Sequence, residues 1–238
     1  MPVLVLLPGM DGTGELFELF RAALGDAFDV VVVRYPGQGR LGYEELEAIA
    51  RRALPASGDF FILGESFSGP IAISIAASRP PGLAGVILCS SFVRTPHPAL
   101  SVFRGLVRLL PVKLAPERLL SYFLLEPYAT PRLRTRLRSA MAQLSTSALQ
   151  ARLHAVAAVD VSDKLRGLAV PLLYLRALHD RLVPAASGNL IAAFDPGISL
   201  VSVDAPHFLL QCAPIEAARI VTEFASLQIG GKNLSKEK

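Results

Sequence analysis

The chain has 238 residues, of which 52% are hydrophobic and 18% charged, with a net charge of +4 and two cysteines. This length suffices for a single domain with a large core, and the low charge is typical of a sheet that is buried on both faces. No apolar run approaches the roughly 20 residues that span a bilayer. The sequence also has no metal-ligand spacing of Cys or His and no phosphate-binding loop, so we expect neither a metal nor an organic cofactor.

The N-terminal segment and the cysteines predict a cytoplasmic protein. Residues 1–8 have no basic leader and no cleavage site, and their apolar run is only as long as a strand, so a signal peptide is not expected. Cys89 and Cys212 both have apolar neighbours. We interpret them as buried thiols of a reducing compartment, not as a disulfide.

Six short apolar runs rich in Val, Ile and Leu predict the strands of a sheet. In chain order they are residues 3–7, 30–33, 60–63, 86–89, 170–175 and 199–203. Helix-length segments with apolar stripes lie between these runs. The alternation predicts an α/β fold with a mostly parallel sheet of about six strands, flanking helices and right-handed crossovers.

A long insertion interrupts this alternation after residue 89. About eighty residues precede the next strand, far more than a crossover needs. The insertion contains an apolar stripe at helical spacing, formed by Leu133, Leu137, Met141 and Leu144. We therefore expect a helical cap over the carboxyl edge of the sheet, where ligands bind in open α/β folds. The predicted organisation is a core of residues 1–93 and 166–229, a helical cap of residues 94–165 and a disordered polar tail of residues 230–238.

Arginines are concentrated in the predicted cap. Residues 94–152 contain nine arginines and Lys113 against two glutamates, a net charge of +8, so the rest of the chain carries −4. Two rows of arginines at i, i+4 spacing flank the apolar stripe. We interpret these rows as a solvated helix face. The alternative is a docking surface for an acidic partner such as an acyl carrier protein; neither a nucleic acid nor a membrane span is expected.

Residues 64–69, with the sequence GESFSG, are the clearest functional signal in the chain. An apolar run ends at Gly64, a serine follows two residues later, and a small-residue segment with helical potential begins. This is the sequence form of a nucleophile elbow, a sharp strand-to-helix turn that lifts a serine hydroxyl above a parallel sheet. Ser66 is therefore the predicted nucleophile.

A serine nucleophile needs a base, and the base must be oriented by a third group. His207 directly follows the last predicted strand and precedes a helix, which favours it over the other three histidines: His97, His154 and His179. Asp180, which follows the fifth predicted strand, is the predicted acid. Its rivals are Asp204, Asp195, Asp160 and Asp163. Asp204 is the strongest rival, but it precedes His207 by only three residues, a loop too short to turn toward the imidazole.

The loop after the first strand is the predicted source of an oxyanion hole, which needs two backbone N–H groups. Residues 7–14 contain three glycines, although a plain glycine-rich turn would explain these equally well. Met10 is the predicted first donor, and Phe67, the residue after the nucleophile, is the second. Phe92, Leu182 and Phe208 are the predicted substrate contacts.

Over nearly its whole length the chain resembles the α/β-hydrolase fold family. The resemblance rests on residues 6–12 (LLPGMDG), residues 34–39 (RYPGQG), and the chain order Ser66, Asp180, His207. The C-terminal part is similar to pimeloyl-[acyl carrier protein] methyl ester esterases. The N-terminal part is similar to plant chloroplast esterase/acyltransferases that make phytyl esters. Two positions depart from the family pattern: Pro8 replaces a common histidine, and Ser68 replaces the usual second glycine of the elbow.

The resemblance and the ordered triad together imply a serine carboxylesterase that hydrolyses short- to medium-chain esters through an acyl-enzyme intermediate. A small-molecule ester is the expected substrate, and the many apolar residues of the cap suggest that it carries an apolar acyl or alcohol group of short to medium length. Three alternatives stay open: an acyltransferase, a thioesterase or carrier-protein-linked ester hydrolase, and a ligand-binding protein whose triad has lost its activity.

Overall fold

The computed structural model of the protein describes residues 1–97, 116–194 and 197–236, the last six of these as backbone only. Several residues used in the sequence predictions lie outside these ranges. They are Arg104, Arg108 and Lys113 of the basic cap segment, the apolar cap residues Leu106, Leu109 and Leu110, and the rival acid Asp195.

The described residues form one parallel sheet of six strands in the order β2-β1-β3-β4-β5-β6. The strands are β1 (Val3–Leu7), β2 (Asp29–Val32), β3 (Phe60–Glu65), β4 (Leu83–Cys89), β5 (Leu172–His179) and β6 (Ser199–Pro206). Each predicted apolar run overlaps one of them, although the bounds differ by up to four residues. The predicted α/β-hydrolase fold, with about six mostly parallel strands, is confirmed.

Helices cover both faces of the sheet, because successive residues of a strand point to opposite sides. Val5 and Leu7 of β1 face a core shared with α2 (Tyr43–Arg52), α3 (Gly69–Ala77) and α7 (Ala185–Phe194). Leu4 and Leu6 face the other core, shared with α1 (Glu18–Leu24), α8 (Leu209–Cys212) and α9 (Pro214–Lys236). None of the helices within the described ranges is long and apolar enough to cross a membrane.

The strand order reverses beside β1, which lies between β2 and β3. In open α/β sheets the loops separate at such a point and leave a crevice at the carboxyl ends of the strands. The loop that follows β1 contains Met10, and the turn that follows β3 contains Ser66. The topology therefore brings the predicted nucleophile and the predicted oxyanion loop to the same crevice.

The helical insertion lies between β4 and β5 and includes α4 (Glu117–Leu124), α5 (Pro131–Ala142) and α6 (Thr146–Ala158). Its two ends lie side by side, since Val161 N–H donates to the Val93 carbonyl at 2.7 Å. Thr130 caps helix α5, which begins at Pro131: the Thr130 side chain accepts from Leu133 N–H and so satisfies a free backbone donor.

The predicted apolar stripe of the cap extends past the end of α5. Leu133 and Leu137 are buried against Leu124 and Leu125, with Met141 packed at the edge. Leu144 lies beyond Ala142, the last residue of α5, and packs against α6 instead. The chain therefore turns before the helical repeat is complete.

The last helix, α9, is described as far as Lys236. Ala217, Val221 and Phe224 fix its first turns, because they pack in the core. The disorder expected of residues 230–238 from their polar composition stays a prediction.

Candidate active site

The turn after β3 has the geometry of an elbow. Ser66 has φ of 47°, in the left-handed region that non-glycine residues rarely adopt. A single turn of 3-10 helix, Ser66–Ser68, leads directly into α3. Gly69 allows the close approach of Ser91, which a Cβ at this position would overlap. Ser91 in turn donates a hydrogen bond to the Ser66 carbonyl. The strained backbone is thus held in place by neighbouring segments.

Ser66, His207 and Asp180 form a continuous hydrogen-bonded row. Ser66 Oγ lies 2.8 Å from His207 Nε2, and His207 Nδ1 lies 2.8 Å from Asp180 Oδ2. The His207 and Asp180 side chains are 3% and 5% exposed. The other carboxylate oxygen of Asp180 accepts from Leu182 N–H and Val183 N–H, both at 2.8 Å. These two backbone bonds fix the carboxylate in an orientation that faces the imidazole.

The rival residues are engaged elsewhere. His179 Nε2 lies 2.7 Å from Asp204 Oδ1, and this exposed pair is joined by Tyr128, whose hydroxyl donates to the same oxygen at 2.6 Å. His97 binds the Leu182 carbonyl at 2.7 Å. Asp160 accepts from the backbone and side chain of Ser162. None of these described groups forms a hydrogen bond with Ser66.

The loop after β1 is a tight turn beside Ser66. Gly12 N–H donates to the Gly9 carbonyl at 3.1 Å, and Gly12 has φ of 74°. Met10 and Phe67 both border the cavity into which Ser66 opens. The two residues that the sequence predicts as oxyanion donors therefore border the same cavity as Ser66, and the role of their N–H groups stays a prediction.

The two positions that depart from the family pattern contact each other. The Ser68 hydroxyl donates to the Pro8 carbonyl, and the Tyr35 hydroxyl lies 3.1 Å from the same Ser68 oxygen. Ser68 is fully buried, and burial raises the pKa of Tyr35 well above its ordinary range. The serine that replaces glycine thus joins the elbow to the start of the oxyanion loop, a function that glycine has no side chain to perform.

Glu65, the residue before the nucleophile, was not predicted to belong to the site. Its side chain is 4% exposed and accepts from Gln211 Nε2 at 2.8 Å. Burial is the main cause that raises the Glu65 pKa from 4.5 to about 7, and the nearby Asp11 raises it further. The sequence shows that Glu65 places a carboxyl within the GESFSG motif, but the motif does not reveal whether the Glu65 side chain is buried.

The cavity above Ser66 has a volume of about 350 Å³ and is mostly apolar. The predicted substrate contacts Phe92, Leu182 and Phe208 all border it. Cap residues close it from above: Leu119, Leu120, Phe123, Leu124, Leu137, Met141, Leu149, Leu153 and Val156. A cavity of this size and polarity suits a small apolar group next to one reactive polar centre.

A second, more open groove of about 590 Å³ lies between α2 and α6 and includes His154 and Lys164. Its lining mixes charged residues with apolar ones and does not include Ser66, Asp180 or His207. Within the described ranges, no group of three His, Cys, Asp or Glu side chains could hold a metal ion. The predicted nucleophile and its two partners therefore lie at the smaller cavity and not at this groove.

Four of the seven cap arginines that the structure describes form ion pairs with glutamates, the weakest being Arg132 at 3.8 Å from Glu18. Arg134, Arg136 and Arg138 each lie 2.6 Å from a glutamate, namely Glu126, Glu18 and Glu117 respectively. The Glu18 pair joins the cap to α1, and these bonds to Arg136 and Arg138 lower the pKa of Glu18 and Glu117.

Arg152 differs from the other described cap arginines because it is only 1% exposed. Its guanidinium donates to the Met10 carbonyl at 2.6 Å and to the Pro36 carbonyl at 2.8 Å. From the sequence it was counted only in the charge of +8 of residues 94–152, and no separate role was predicted for it. The available signal was its position on α6, where it lies between apolar residues such as Leu149 and Val156.

Known proteins resemble this chain in sequence and in fold. The chain is 29% identical to a pimeloyl-[acyl-carrier protein] methyl ester esterase of Methylococcus capsulatus, over 94% of each chain. It is 35% identical to phytyl ester synthase 1 of Arabidopsis thaliana, over 40% of this chain and 15% of that protein. Its fold superimposes on a thermophilic esterase from Thermogutta terrifontis with a TM-score of 0.81, at 21% identity, covering 96% of this chain and 90% of that one.

The sequence profile of the alpha/beta hydrolase family matches residues 4–219. This match covers the sheet, the described cap helices and the loops that carry Ser66, Asp180 and His207. The resemblance noted from the sequence is confirmed: the protein belongs to the alpha/beta hydrolase family.

Proposed function

We propose that the protein is a carboxylic ester hydrolase in which Ser66, His207 and Asp180 act as a catalytic triad. The observation that carries this proposal is the hydrogen-bonded row of the three side chains, with both links at 2.8 Å. Family membership and the esterase relatives support the reaction class. A buried serine–histidine–carboxylate row is the arrangement that activates a hydroxyl as a nucleophile.

The proposed reaction has two steps. Asp180 holds the Nδ1–H of His207, so that Nε2 accepts the Ser66 proton as Oγ attacks the ester carbonyl. The Met10 and Phe67 N–H groups stabilise the negative oxygen of the tetrahedral intermediate. His207 then gives the proton to the leaving alkoxide, which departs as an alcohol. In the second step His207 activates water, which attacks the acyl-enzyme and releases the carboxylic acid.

The cavity supports an apolar acyl or alcohol group of short to medium length as the part of the substrate bound beneath the cap. Its volume of about 350 Å³ lies near the lower end of the range for small-molecule sites. Phe92, Leu182 and Phe208 would contact this group by apolar packing. Apolar packing of this kind would distinguish substrates by the length of the acyl or alcohol chain and not by particular functional groups on it.

A chain-length series of p-nitrophenyl esters tests the proposal. The wild-type protein is expected to hydrolyse short- and medium-chain esters, and Ser66→Ala is expected to lower kcat by about 10³-fold or more, because the nucleophile is removed. Asp204→Asn, which alters the exposed rival carboxylate, is the matched control and is expected to keep activity. Undiminished hydrolysis by Ser66→Ala would overturn the mechanism. A wild-type protein that binds these esters without turnover would favour the ligand-binding alternative.

Acyl transfer to an alcohol is a second candidate, favoured by the similarity to a phytyl ester synthase. The chemistry differs only in the second step, where an alcohol replaces water as the acceptor of the acyl group. Product analysis with a medium-chain alcohol present distinguishes the two. An ester product that exceeds the free acid favours transfer, whereas free acid as the main product favours hydrolysis.

An ester or thioester attached to an acidic carrier protein is another candidate, favoured by the similarity to an esterase with a carrier-bound substrate. The ion pairs of Arg134, Arg136 and Arg138 reduce the free positive charge of the cap, which favours the small-molecule substrate. Turnover of a carrier-linked ester that falls strongly with salt, while turnover of a small neutral ester does not, would support docking.

A further inference from the structure

We propose that Arg152 is a positioning residue, which fixes the conformation of the loop after β1 through its bond to the Met10 carbonyl. The geometry of the oxyanion hole then depends on the position of cap helix α6. This inference rests on the proposed function, since it assigns a supporting role to a residue that does not touch the reacting atoms. Arg152 enters from the cap, whereas Met10 belongs to the loop after β1.

The turn at residues 9–12 is held from two directions. From inside, Gly12 N–H donates to the Gly9 carbonyl at 3.1 Å. Because a trans peptide points its C=O and N–H in opposite directions, this bond directs the Met10 N–H away from the turn. From outside, Arg152 Nη1 donates to the Met10 carbonyl at 2.6 Å. The two bonds together fix the peptide groups on both sides of the Met10 Cα.

The loop is shaped to admit the guanidinium. A Cβ on Gly12 would lie 2.6 Å from Arg152 Nη1 and 3.0 Å from Nη2, so a larger residue at this position would push the side chain away. The positive φ of Gly12, 74°, is a conformation that glycine adopts without strain. Gly12 therefore has a second role besides forming the turn, because it leaves space for the Arg152 side chain.

Arg152 also binds the loop after β2. Its Nη2 donates to the Pro36 carbonyl at 2.8 Å, and its guanidinium carbon lies 5.8 Å from the centre of the Tyr35 ring. One side chain of α6 thus joins two core loops, each through a charge-assisted bond to a backbone carbonyl. Lysine has a single ammonium group and lacks the planar fork that reaches two carbonyls at once.

The charge of Arg152 has a counter-charge nearby. Burial lowers the pKa of the guanidinium, and the buried carboxylate of Asp11, the next residue of the same loop, raises it. Removal of the guanidinium leaves the Met10 and Pro36 carbonyls without this donor and Asp11 without its cation. Such a change acts on the loop that supplies the Met10 N–H.

Steady-state kinetics of Arg152→Met and Arg152→Lys on p-nitrophenyl butyrate test the inference, with concentrations corrected by active-site titration with a fluorophosphonate. Because an oxyanion contact is made in the transition state and not with bound substrate, kcat is expected to fall about 10- to 100-fold with KM changed less than about two-fold. Inhibition by a trifluoromethyl ketone, which forms an oxyanion on the enzyme, is expected to weaken by the same factor. Arg219→Met, an exposed arginine paired with Glu223, is the control.

An unchanged kcat per active site, with only a lower Tm, would overturn the inference and make Arg152 a structural anchor. A raised KM with unchanged kcat would overturn it in favour of substrate contact. If Arg152→Met does not fold, Arg152→Lys provides the same comparison, because it keeps the charge and loses the fork. Failure of the proposed function has a separate signature, which is hydrolysis that persists in Ser66→Ala.

Discussion

At the scale of single residues, Glu65 is a buried carboxyl beside the nucleophile that takes no part in the proposed proton transfers. It bonds to Gln211 at 2.8 Å, and burial raises its pKa from 4.5 to about 7. A carboxyl whose pKa is raised on folding stabilises the protein fully below its unfolded pKa. This contribution is lost as the pH rises through the folded pKa. Near neutral pH the protein therefore bears a penalty for ionising Glu65.

Glu65→Gln removes this penalty and keeps a hydrogen-bonding group of the same shape. We expect the free energy of unfolding of Glu65→Gln, relative to the wild type, to rise by up to about 3 kcal/mol between pH 4.5 and pH 8. Urea unfolding of both proteins at several pH values measures the difference. Glu117→Gln is the control, because the Arg138 bond lowers the pKa of Glu117 below its ordinary value of 4.5. Its contribution to stability therefore changes at lower pH, and its difference from the wild type should stay nearly flat between pH 4.5 and pH 8. A difference for Glu65→Gln that is flat over this range would show that Glu65 is not the titrating group.

At the scale of secondary-structure elements, α5 both packs the cap and closes the cavity. Leu137 is 2% exposed, packs against Leu124, Leu125 and Leu133, and also borders the cavity. Leu137→Ala is expected to lower the free energy of unfolding by about 2–4 kcal/mol. It should also shift the preferred acyl chain toward longer esters, because the removed methyl groups enlarge the cavity.

Leu24→Ala is the matched control for this variant. Leu24 lies on α1 in the core shared with α8 and α9, does not border the cavity and is 5% exposed. It should lose similar stability and keep the wild-type chain-length preference in the ester series. A Leu137→Ala protein with the wild-type preference would contradict the assignment of the cavity as the acyl site.

The strands and the elbow could be predicted from the sequence because their signals are local. A buried parallel strand is a continuous apolar run, and residues 60–69 contain both the run and the turn. The sequence predicts the ends of the strands less closely than their centres. Strand β5 continues past the polar Arg176 to His179, because Arg176 pairs with Ser202 of β6. That pairing depends on a partner far along the chain.

The supporting residues of the site could not be predicted for the same reason. Arg152 contacts Met10 and Pro36, which are separated from it by more than a hundred residues in the chain. Glu65 meets Gln211, which lies on α8. The sequence pattern reveals the type of each residue and its local periodicity, but a buried polar contact requires the complete tertiary arrangement.

At the scale of the whole molecule, the cap and the core share one set of contacts. Leu124, Leu133 and Leu137 of the cap pack in one cluster with Leu182 and Phe208 of the core. Calorimetry is therefore expected to give a single thermal transition whose calorimetric enthalpy equals its van't Hoff enthalpy. Two separate thermal transitions, one for the cap and one for the core, would show that the cap folds as an independent unit.

The central claim is that Ser66 is the nucleophile, and mass spectrometry of the protein treated with diisopropyl fluorophosphate tests it most directly. The reagent phosphorylates a serine that is activated by a neighbouring base. We predict one adduct per chain, located on the peptide that contains Ser66 and missing from Ser66→Ala, with loss of ester hydrolysis in proportion to labelling. An adduct on a different residue, or full hydrolysis by the Ser66-labelled protein, would contradict the claim.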